Sequence, residues 1–559
     1  MADYIPTIGL EVHAELKTRT KMFCDCTNDP DEKRANTNVC PICMGHPGAL
    51  PTINKQAVEH VLKVGLAIGA EVNPTSKFDR KNYFYPDLPK GYQISQFAAP
   101  LVVGGSVMLP NGTTVKVHHI HLEEDAGKLL HMAYGEGQMA ADESDEPLAI
   151  SHKPSATLVD YNRSSVPLME LVTEPDMHSP EDAVAFMKEV QLILRYIGAS
   201  DADLERGQMR ADANVSIAPM DTADNRGLDA DRRGNSQRNS ASIPRKSALG
   251  TRAEVKNLNS FAAVLGAIKY EIKRQTEVLD KGEKVHQETR GWDEVKQKTV
   301  GQRSKEHAHD YRYFPEPDLP PMRITHGRRS GERASPQAGA SPANAGGPPS
   351  DIDVAFNIDD LKRHLPELPR ARQARFVKEY GLGDMQAAAL VETKELGEYF
   401  EAAYSELATR DEKTTSKIDK RPEELLYNYL TSDLGGLLNE TGTTLADCKV
   451  NPAELAALVD MIADGKIMSR QAKDILRKMF EMGESAEVIL EQEGLHTVSD
   501  EAELVKTVES VIAEHAQASA DFKAGKQASM QFLIGQAMRK LRGRGNPESL
   551  RELFERILE

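Results

Sequence analysis

Residues 8–16 read Ile-Gly-Leu-Glu-Val-His-Ala-Glu-Leu. Ile8, Leu10, Val12, Ala14 and Leu16 share one side of an extended chain, and Glu11, His13 and Glu15 the other, because successive strand side chains point to opposite faces. Such a strand lays one face on a core and turns the other to solvent or a cleft. A carboxylate and an imidazole two residues apart can reach one cation, although a solvated face has the same pattern. The alternation recurs in Met209–Ile217, where Met209, Ala211, Ala213, Val215 and Ile217 face inward and Arg210, Asp212, Asn214 and Ser216 outward, with Glu205 just before. Thr114–Leu122 is a third strand. It runs into His121-Leu-Glu-Glu-Asp-Ala-Gly-Lys128, whose consecutive carboxylates repel one another unless screened. Glu123 and Glu124 point opposite ways, so they do not both enter one cleft. In Leu158–Arg163, Asp160 and Asn162 share a face. Four polar strand faces rich in Glu, Asp, Asn and His suggest a Mg²⁺ site with hard oxygen ligands.

Two helices interrupt these strands. Pro180–Tyr196 starts behind Ser179, and Phe261–Leu279 behind Asn259-Ser260, both good N-cap residues. Strands and helices without strict alternation predict an α+β fold with a mixed or antiparallel sheet. Residues 1–325 form this domain, with a polar insertion at 221–252 and a shorter acidic loop at Gly135–Pro147. Residues 326–350, rich in Gly, Pro, Ser and Ala, read as a linker. From 351 the pattern turns helical, with a helical domain at 351–412 and a small bundle at 413–559 broken at Gly465, Gly483, Gly494 and Gly525.

Cys24-x-Cys26 is followed by Cys40-x-x-Cys43, two close pairs separated by a loop. That is the spacing of a closed four-cysteine zinc site, which is structural because no coordination position is left for water. The fifth cysteine, Cys448, stands apart. Five cysteines, no apolar run long enough for a membrane span and no signal-peptide pattern at the start predict a cytoplasmic chain without disulfides. The formal charge of −17 argues against a general nucleic-acid binder, so RNA contact must come from local basic patches or a partner. Phosphate-loop, kinase, nucleophile-elbow and His-Glu-x-x-His motifs are all missing, so any use of ATP lies outside the common folds.

Longer strings converge on one family. FDRKNYFYPDLPKGYQISQ (78–96), HLEEDAGK (121–128), VDYNRSSVPLMELVTEP (159–175) and DYRYFPEPDLP (310–320), together with IGLEVHAEL, MRADANVS and EVKNLNSF, resemble the B subunit of the aspartyl/glutamyl-tRNA amidotransferase. The resemblance is dense over residues 4–325. It continues to QFLIGQAMRKLRGRGNP (531–547), similar to that family's YqeY-like, tRNA-binding tail. It implies a glutamine-hydrolysing, ATP-dependent carbon–nitrogen ligase acting on tRNA wrongly charged with glutamate or aspartate, with ATP, Mg²⁺ and a structural Zn²⁺. It also implies a heterotrimer in which a separate amidase (A) subunit supplies ammonia and a small C subunit completes the complex.

Residue by residue, the resemblance implies that Glu11, His13 and Glu124 are catalytic metal ligands, with Glu123 alternate and Glu205 and Asp212 weaker candidates. Arg206 stands where the family often has a second acidic residue. Arg80, Lys81, Asn82 and Lys90 are candidates for ATP phosphate or the tRNA acceptor end. Tyr83, Phe84 and Tyr85 read as packing residues. Lys523, Lys526, Arg539, Lys540, Arg542 and Arg544 concentrate positive charge in the tail and would grip the tRNA body. The competing reading is a tRNA-binding scaffold whose chemistry resides in a partner. A zinc-dependent hydrolase would need an open metal position that a four-cysteine site lacks.

Overall fold

The computed structural model of the chain describes residues 4–29, 31–132, 156–220, 250–304, 311–326, 352–408, 421–493, 501–541 and 544–558. The expected loop Gly135–Pro147 and nearly all of 221–252 and 326–350 lie outside the described residues. The chain forms two compact units, Met1–Leu368 and Pro369–Glu559.

The first unit is built on a ten-stranded mixed sheet. In chain order its strands are β1 (Tyr4–Glu15), β2 (Glu71–Val72), β3 (Val102–Val103), β4 (Ser106–Met108), β5 (Thr114–Glu124), β6 (Pro167–Thr173), β7 (Met209–Pro219), β8 (Ala253–Leu258), β9 (Glu288–Asp293) and β10 (Lys298–Ser304). They lie in the order β10-β9-β8-β7-β1-β6-β5-β3-β2, with β4 also paired to β5. Only β8 and β9 run parallel. The α+β expectation therefore holds. β1 sits at the centre, antiparallel to both β6 and β7. On β5 the register against β6 steps from Val172↔His119 to Thr173↔Val117, which leaves His118 as the extra residue of a bulge.

One face of the sheet is apolar. Ile8, Leu10, Val12 and Ala14 are at most 1% exposed. They belong to one core with Val58 and Val61 of α1 (Lys55–Ala67), Phe186, Met187 and Val190 of α2 (Pro180–Ile197), and Val264, Ala267 and Ile268 of α3 (Phe261–Asp280). Helices α2 and α3 start where the sequence predicts. The Ser179 hydroxyl accepts from Asp182 N–H and the Ser260 hydroxyl from Ala263 N–H, satisfying donors the first turn leaves orphaned. The opposite face of the sheet carries the polar residues.

One expectation changes. Residues 352–356 are a strand, Ile352–Phe356, parallel to Met322–His326, and not the start of a helical domain. The run Ile-Asp-Val-Ala-Phe is too short and too β-branched for a helix, and Phe356 and Ile358 join the first unit's core. The second unit is helical from Pro369–Tyr380 onward. Gly483 ends Ser469–Met482 in the left-handed conformation, and Gly465 and Gly525 also have positive φ. Val508, Val511, Leu533, Leu550 and Phe554 form a core within residues 501–558. Among the described residues no helix is long and apolar enough to cross a membrane.

Helix α1 lies against β3 through Gly65, where an added Cβ would meet Val102 Cγ1 at 2.5 Å. Gly-to-Ala changes inside helices usually stabilise. Gly65→Ala should instead lower stability by about 1–3 kcal/mol, because Val102 is fully buried and has nowhere to move, and a thermal melt reads the sign.

Candidate active site

The polar face of the sheet is a set of cross-strand rows. His13 on β1 pairs with Glu170 on β6, and Glu170 with His121 on β5. His13 Nε2 is 3.1 Å from Glu170 Oε2. His121 Nε2 lies 3.7 Å from the same oxygen and 3.8 Å from Glu123 Oε2. Glu123, two residues along β5, shares this face. His13, Glu123 and Glu170 each present one donor atom within 4.8 Å of the other two. Glu123 is 3% exposed, and its Oε2 has no hydrogen-bond partner among the described residues; His13 Nδ1 has none either. Burial alone would raise the Glu170 carboxyl, but the His121 and His13 imidazoles hold it well below the usual carboxylate range. Burial would likewise lower the His13 imidazole, and the Glu170 carboxylate raises it instead.

Lys81 lies over this cluster on the short strand Asp79–Asn82, with its Nζ 5.5 Å from the Tyr311 ring. Against the effect of burial, Glu123 and Glu170 raise its ammonium well above the ordinary lysine range, so it is a permanent cation. It forms no ion pair among the described residues.

A second acidic group adjoins the first. Glu11, Asp212 and Glu254 also bring donor atoms within 4.8 Å of one another. Here a cation is already supplied, since Lys256 Nζ is 2.7 Å from Asp212 and 2.8 Å from Glu254. Asp212 accepts from Asn257 N–H as well, and Glu11 from the Asn214 amide at 3.0 Å. Burial and then Glu170 push the Glu11 carboxyl up.

The three consecutive carboxylates part company. Glu123 enters the cluster. Glu124 points to the opposite face, paired with Lys90 and accepting from Ile94 N–H, in a contact where both side chains are buried. Asp125 turns to Arg163 and Arg210. The alternation of the strand thus places Glu123, not Glu124, beside His13. Gly127 follows where an added Cβ would be 3.0 Å from Asp160 O and 3.2 Å from Asp87 O.

The remaining expected residues sort as follows. Arg80 is taken up by Glu316 at 2.6 Å and lies 4.3 Å over the Tyr92 ring. Asn82 donates to Tyr311 O and Arg312 O. With Lys90 committed to Glu124, only Lys81 of the four expected phosphate contacts faces the cluster. Glu205 sits on an exposed turn held by Asp203, belongs to neither acidic group, and its neighbour Arg206 bridges to Asp31. Asp160 and Asn162 point away from the cleft and accept from Asn36 N–H and Asn38 N–H, fastening the cysteine segment. Phe84 is 92% exposed and Tyr85 57%, which removes the packing role expected of them, while Tyr83 packs edge-on to Tyr311. In the tail, Asp521 pairs with Lys526 and Glu514 with Lys540. Lys523 and Arg539 are exposed, Arg544 caps Leu541 O, and Arg542 lies outside the described residues.

The four cysteines bring their sulfurs within 4.8 Å of one another, and all are free thiols. The Cys24 thiol, the Cys40 backbone N–H and the nearby Lys21 ammonium hold the Cys43 thiol below its ordinary range. Lys21 is fully buried, yet its Nζ meets only the carbonyls of Asn38 (2.6 Å) and Tyr161 (3.4 Å) and no carboxylate among the described residues. A buried ammonium needs an anion. Four thiolates around a dication carry a net double negative charge, so the donor set and its buried counter-charge fit zinc. Gly45, just past Cys43, rests on the Lys90 side chain, whose Cγ would be 2.3 Å from an added Cβ.

Sequence reasoning missed Glu170, Glu254, His121 and Lys21. Glu170 had a signal, a lone charge in Pro167-Leu-Met-Glu-Leu-Val. Its partners, however, lie on other strands.

Residues 6–329 match the model of the GatB/GatE catalytic domain, and residues 412–558 that of the GatB domain. The chain is 40% identical to the B subunit of the aspartyl/glutamyl-tRNA(Asn/Gln) amidotransferase of Dehalococcoides mccartyi over the full length of both. It is 39% identical to the subunits of the same name from Carboxydothermus hydrogenoformans (99% of this chain, 98% of the relative) and Brevibacillus brevis (100% and 99%). With both domains matched and alignments running end to end, the chain belongs to the family of aspartyl/glutamyl-tRNA(Asn/Gln) amidotransferase B subunits.

Proposed function

We propose that this chain is the subunit in which the side-chain carboxylate of Glu-tRNA(Gln) or Asp-tRNA(Asn) is phosphorylated by ATP and then amidated, giving Gln-tRNA(Gln) or Asn-tRNA(Asn). The observation that carries this reading is the row of His13, Glu170 and Glu123 facing Lys81. A carboxylate is a poor electrophile. Transfer of the γ-phosphoryl group to its oxygen releases ADP and creates a leaving group, and ammonia then forms the carbon–nitrogen bond as phosphate departs. Phosphoryl transfer rests on positioning and on offsetting charge at the phosphate oxygens. An imidazole and two carboxylates, one with an unpartnered buried oxygen, fit a divalent cation such as Mg²⁺. When bound, that ion supplies charge neutralisation at the phosphate oxygens.

The chain's own groups do the rest. Lys81 draws an anionic group against the row. The Lys90–Glu124 and Arg163–Asp125 pairs fix the loops on either side. Glu11, with its carboxyl pushed up by burial and Glu170, can hold a proton nearer neutral pH than an ordinary glutamate. Ammonia would come from glutamine hydrolysed on an amidase A subunit, in a cytoplasmic complex with a small C subunit. Zinc on Cys24, Cys26, Cys40 and Cys43 would clip the fold, and the exposed Lys523 and Arg539 would touch tRNA phosphates.

Glu170→Gln should lower transamidation at least about 100-fold, with glutamine hydrolysis by the partner and zinc content unchanged. Assay of the reconstituted complex with both mischarged tRNAs reads it. Undiminished turnover would mean that the chain is a scaffold.

The cation should bind with a definite pH dependence. Without it, His13 is held above its ordinary 6.5 by Glu170, and ligation requires the neutral imidazole. Mg²⁺ affinity should be flat above the raised pKa and fall by about tenfold per pH unit below it. Calorimetry across a pH series measures this, and His13→Gln should flatten the profile.

Purified chain should carry about one zinc. Lys21→Met should speed zinc release to a coloured chelator by about tenfold, because it strips the thiolates of their buried counter-charge. Replacing zinc with cadmium should leave turnover largely intact.

A further inference from the structure

We propose that Tyr311, Tyr313 and Phe97 form a stacking row for the unpaired 3′-terminal bases of the tRNA, leading them to Lys81 and the His13–Glu123–Glu170 cluster. The inference rests on the proposed function, since that reading brings the aminoacylated end of the tRNA to this cluster.

The rings run in series. Lys81 Nζ is 5.5 Å from the Tyr311 centroid, Tyr311 meets Tyr313 edge-on at 6.0 Å with 68° between planes, and Tyr313 is stacked on Phe97 at 4.1 Å with 10° between planes. Phe97 is 64% exposed. Tyr313 is half-buried and backs the Phe97 ring, so it is Phe97 that turns an apolar face to solvent. The face is also rigid. The buried Asp79 carboxylate accepts the N–H groups of Phe97 (3.2 Å) and Ala98 (3.0 Å), and Ser76 Oγ donates to Ala99 O at 2.7 Å. Asn82 clamps the other strand of the row through Tyr311 O and Arg312 O. An exposed ring backed by half-buried ones on a fixed scaffold beside a cation supplies the elements of single-strand nucleic-acid binding, in which bases stack and phosphates meet positive charge.

A row that runs from the exposed Phe97 through Tyr313 and Tyr311 to Lys81 suits a strand that approaches from solvent better than the one base of ATP. The aminoacyl group is esterified to the last nucleotide of the tRNA. That nucleotide must therefore lie within one amino-acid length of the reacting carboxylate, at the Lys81 end of the row.

The test compares binding of whole tRNA and of tRNA trimmed of its unpaired 3′ end to the reconstituted complex. Trimming should weaken binding to the wild-type complex by roughly 10- to 100-fold and have little effect on Phe97→Ala. Phe97→Tyr should restore the difference. Phe84→Ala is the control, because Phe84 is more exposed but makes no ring contact with the row among the described residues. In turnover, Phe97→Ala should raise KM for aminoacyl-tRNA by a similar factor and leave KM for ATP unchanged. Equal binding of trimmed and whole tRNA by the wild-type complex would overturn the proposal. A rise in KM for ATP alone would give the row to the nucleotide, and loss of complex assembly would give it to a partner protein; either outcome also overturns it. Binding needs no chemistry, so failure of the catalytic reading would appear separately, as turnover surviving Glu170→Gln with the trimming effect intact.

Discussion

Three carboxylates in a row cannot stay ionised inside a protein unless each has its own source of positive charge. Glu123, Glu124 and Asp125 are 3%, 1% and 3% exposed, and much of the surrounding structure answers that constraint. Lys81 serves Glu123, Lys90 serves Glu124, and Arg163 with Arg210 serves Asp125. These cations come from the Asp79–Asn82 strand, the loop before Tyr92, the turn before β6, and β7. Segments distant in sequence are held together because each contributes a charge that a neighbouring carboxylate requires. The strand's alternation does the sorting, giving Glu124 and Asp125 direct ion pairs and leaving Glu123 in the field of Lys81.

The four-cysteine cluster is part of the same arrangement. Gly45 bears on the stem of Lys90, so the position of the Glu124 counter-ion depends on the knuckle. Asn36 and Asn38 are tied to Asp160 and Asn162, and the Cys43 carbonyl to the Ser164 hydroxyl, just before β6 starts at Pro167. A metal there would stiffen the frame on which the acidic strands are hung. Lys21, buried without a carboxylate among the described residues, would find its counter-charge in thiolates at the cysteines.

The sequence made the central strand, both long helices and their caps readable, because alternation and N-cap chemistry are local signals. His13 was visible for the same reason, but alternation showed only that Glu123 and Glu124 part, and the expected ligand was Glu124. What could not be read was pairing across strands. Glu170 is an isolated charge until β6 is laid beside β1 and β5. Glu254 and Lys256 matter only once β8 lies against β7. Arg80, Asn82 and Lys90 were expected to be ligand contacts from the family resemblance. Internal partners take them up instead, and the one on Arg80, Glu316 at 2.6 Å, is far away in sequence. Asp160 and Asn162 alternate like strand residues but stand where a strand gives way to a turn, and there their side-chain oxygens serve backbone N–H groups. Strand Ile352–Phe356 was hidden because its partner, Met322–His326, lies across the Gly/Pro-rich stretch.

The bulge at His118 has a further consequence for how this chain can vary. Residues beyond it reach the polar or the apolar face according to whether an even or odd number of positions separates them from the bulge. Adding one residue between His118 and Glu123 would send Glu123 into the core and swing Glu124 over the sheet, with the composition hardly altered. Adding two would preserve the sides but slide the row off Glu170. The segment is thus constrained in parity as well as in length. Sequence change should be easiest on the hairpin side of His118, where the irregularity can absorb a shift before it reaches the carboxylates.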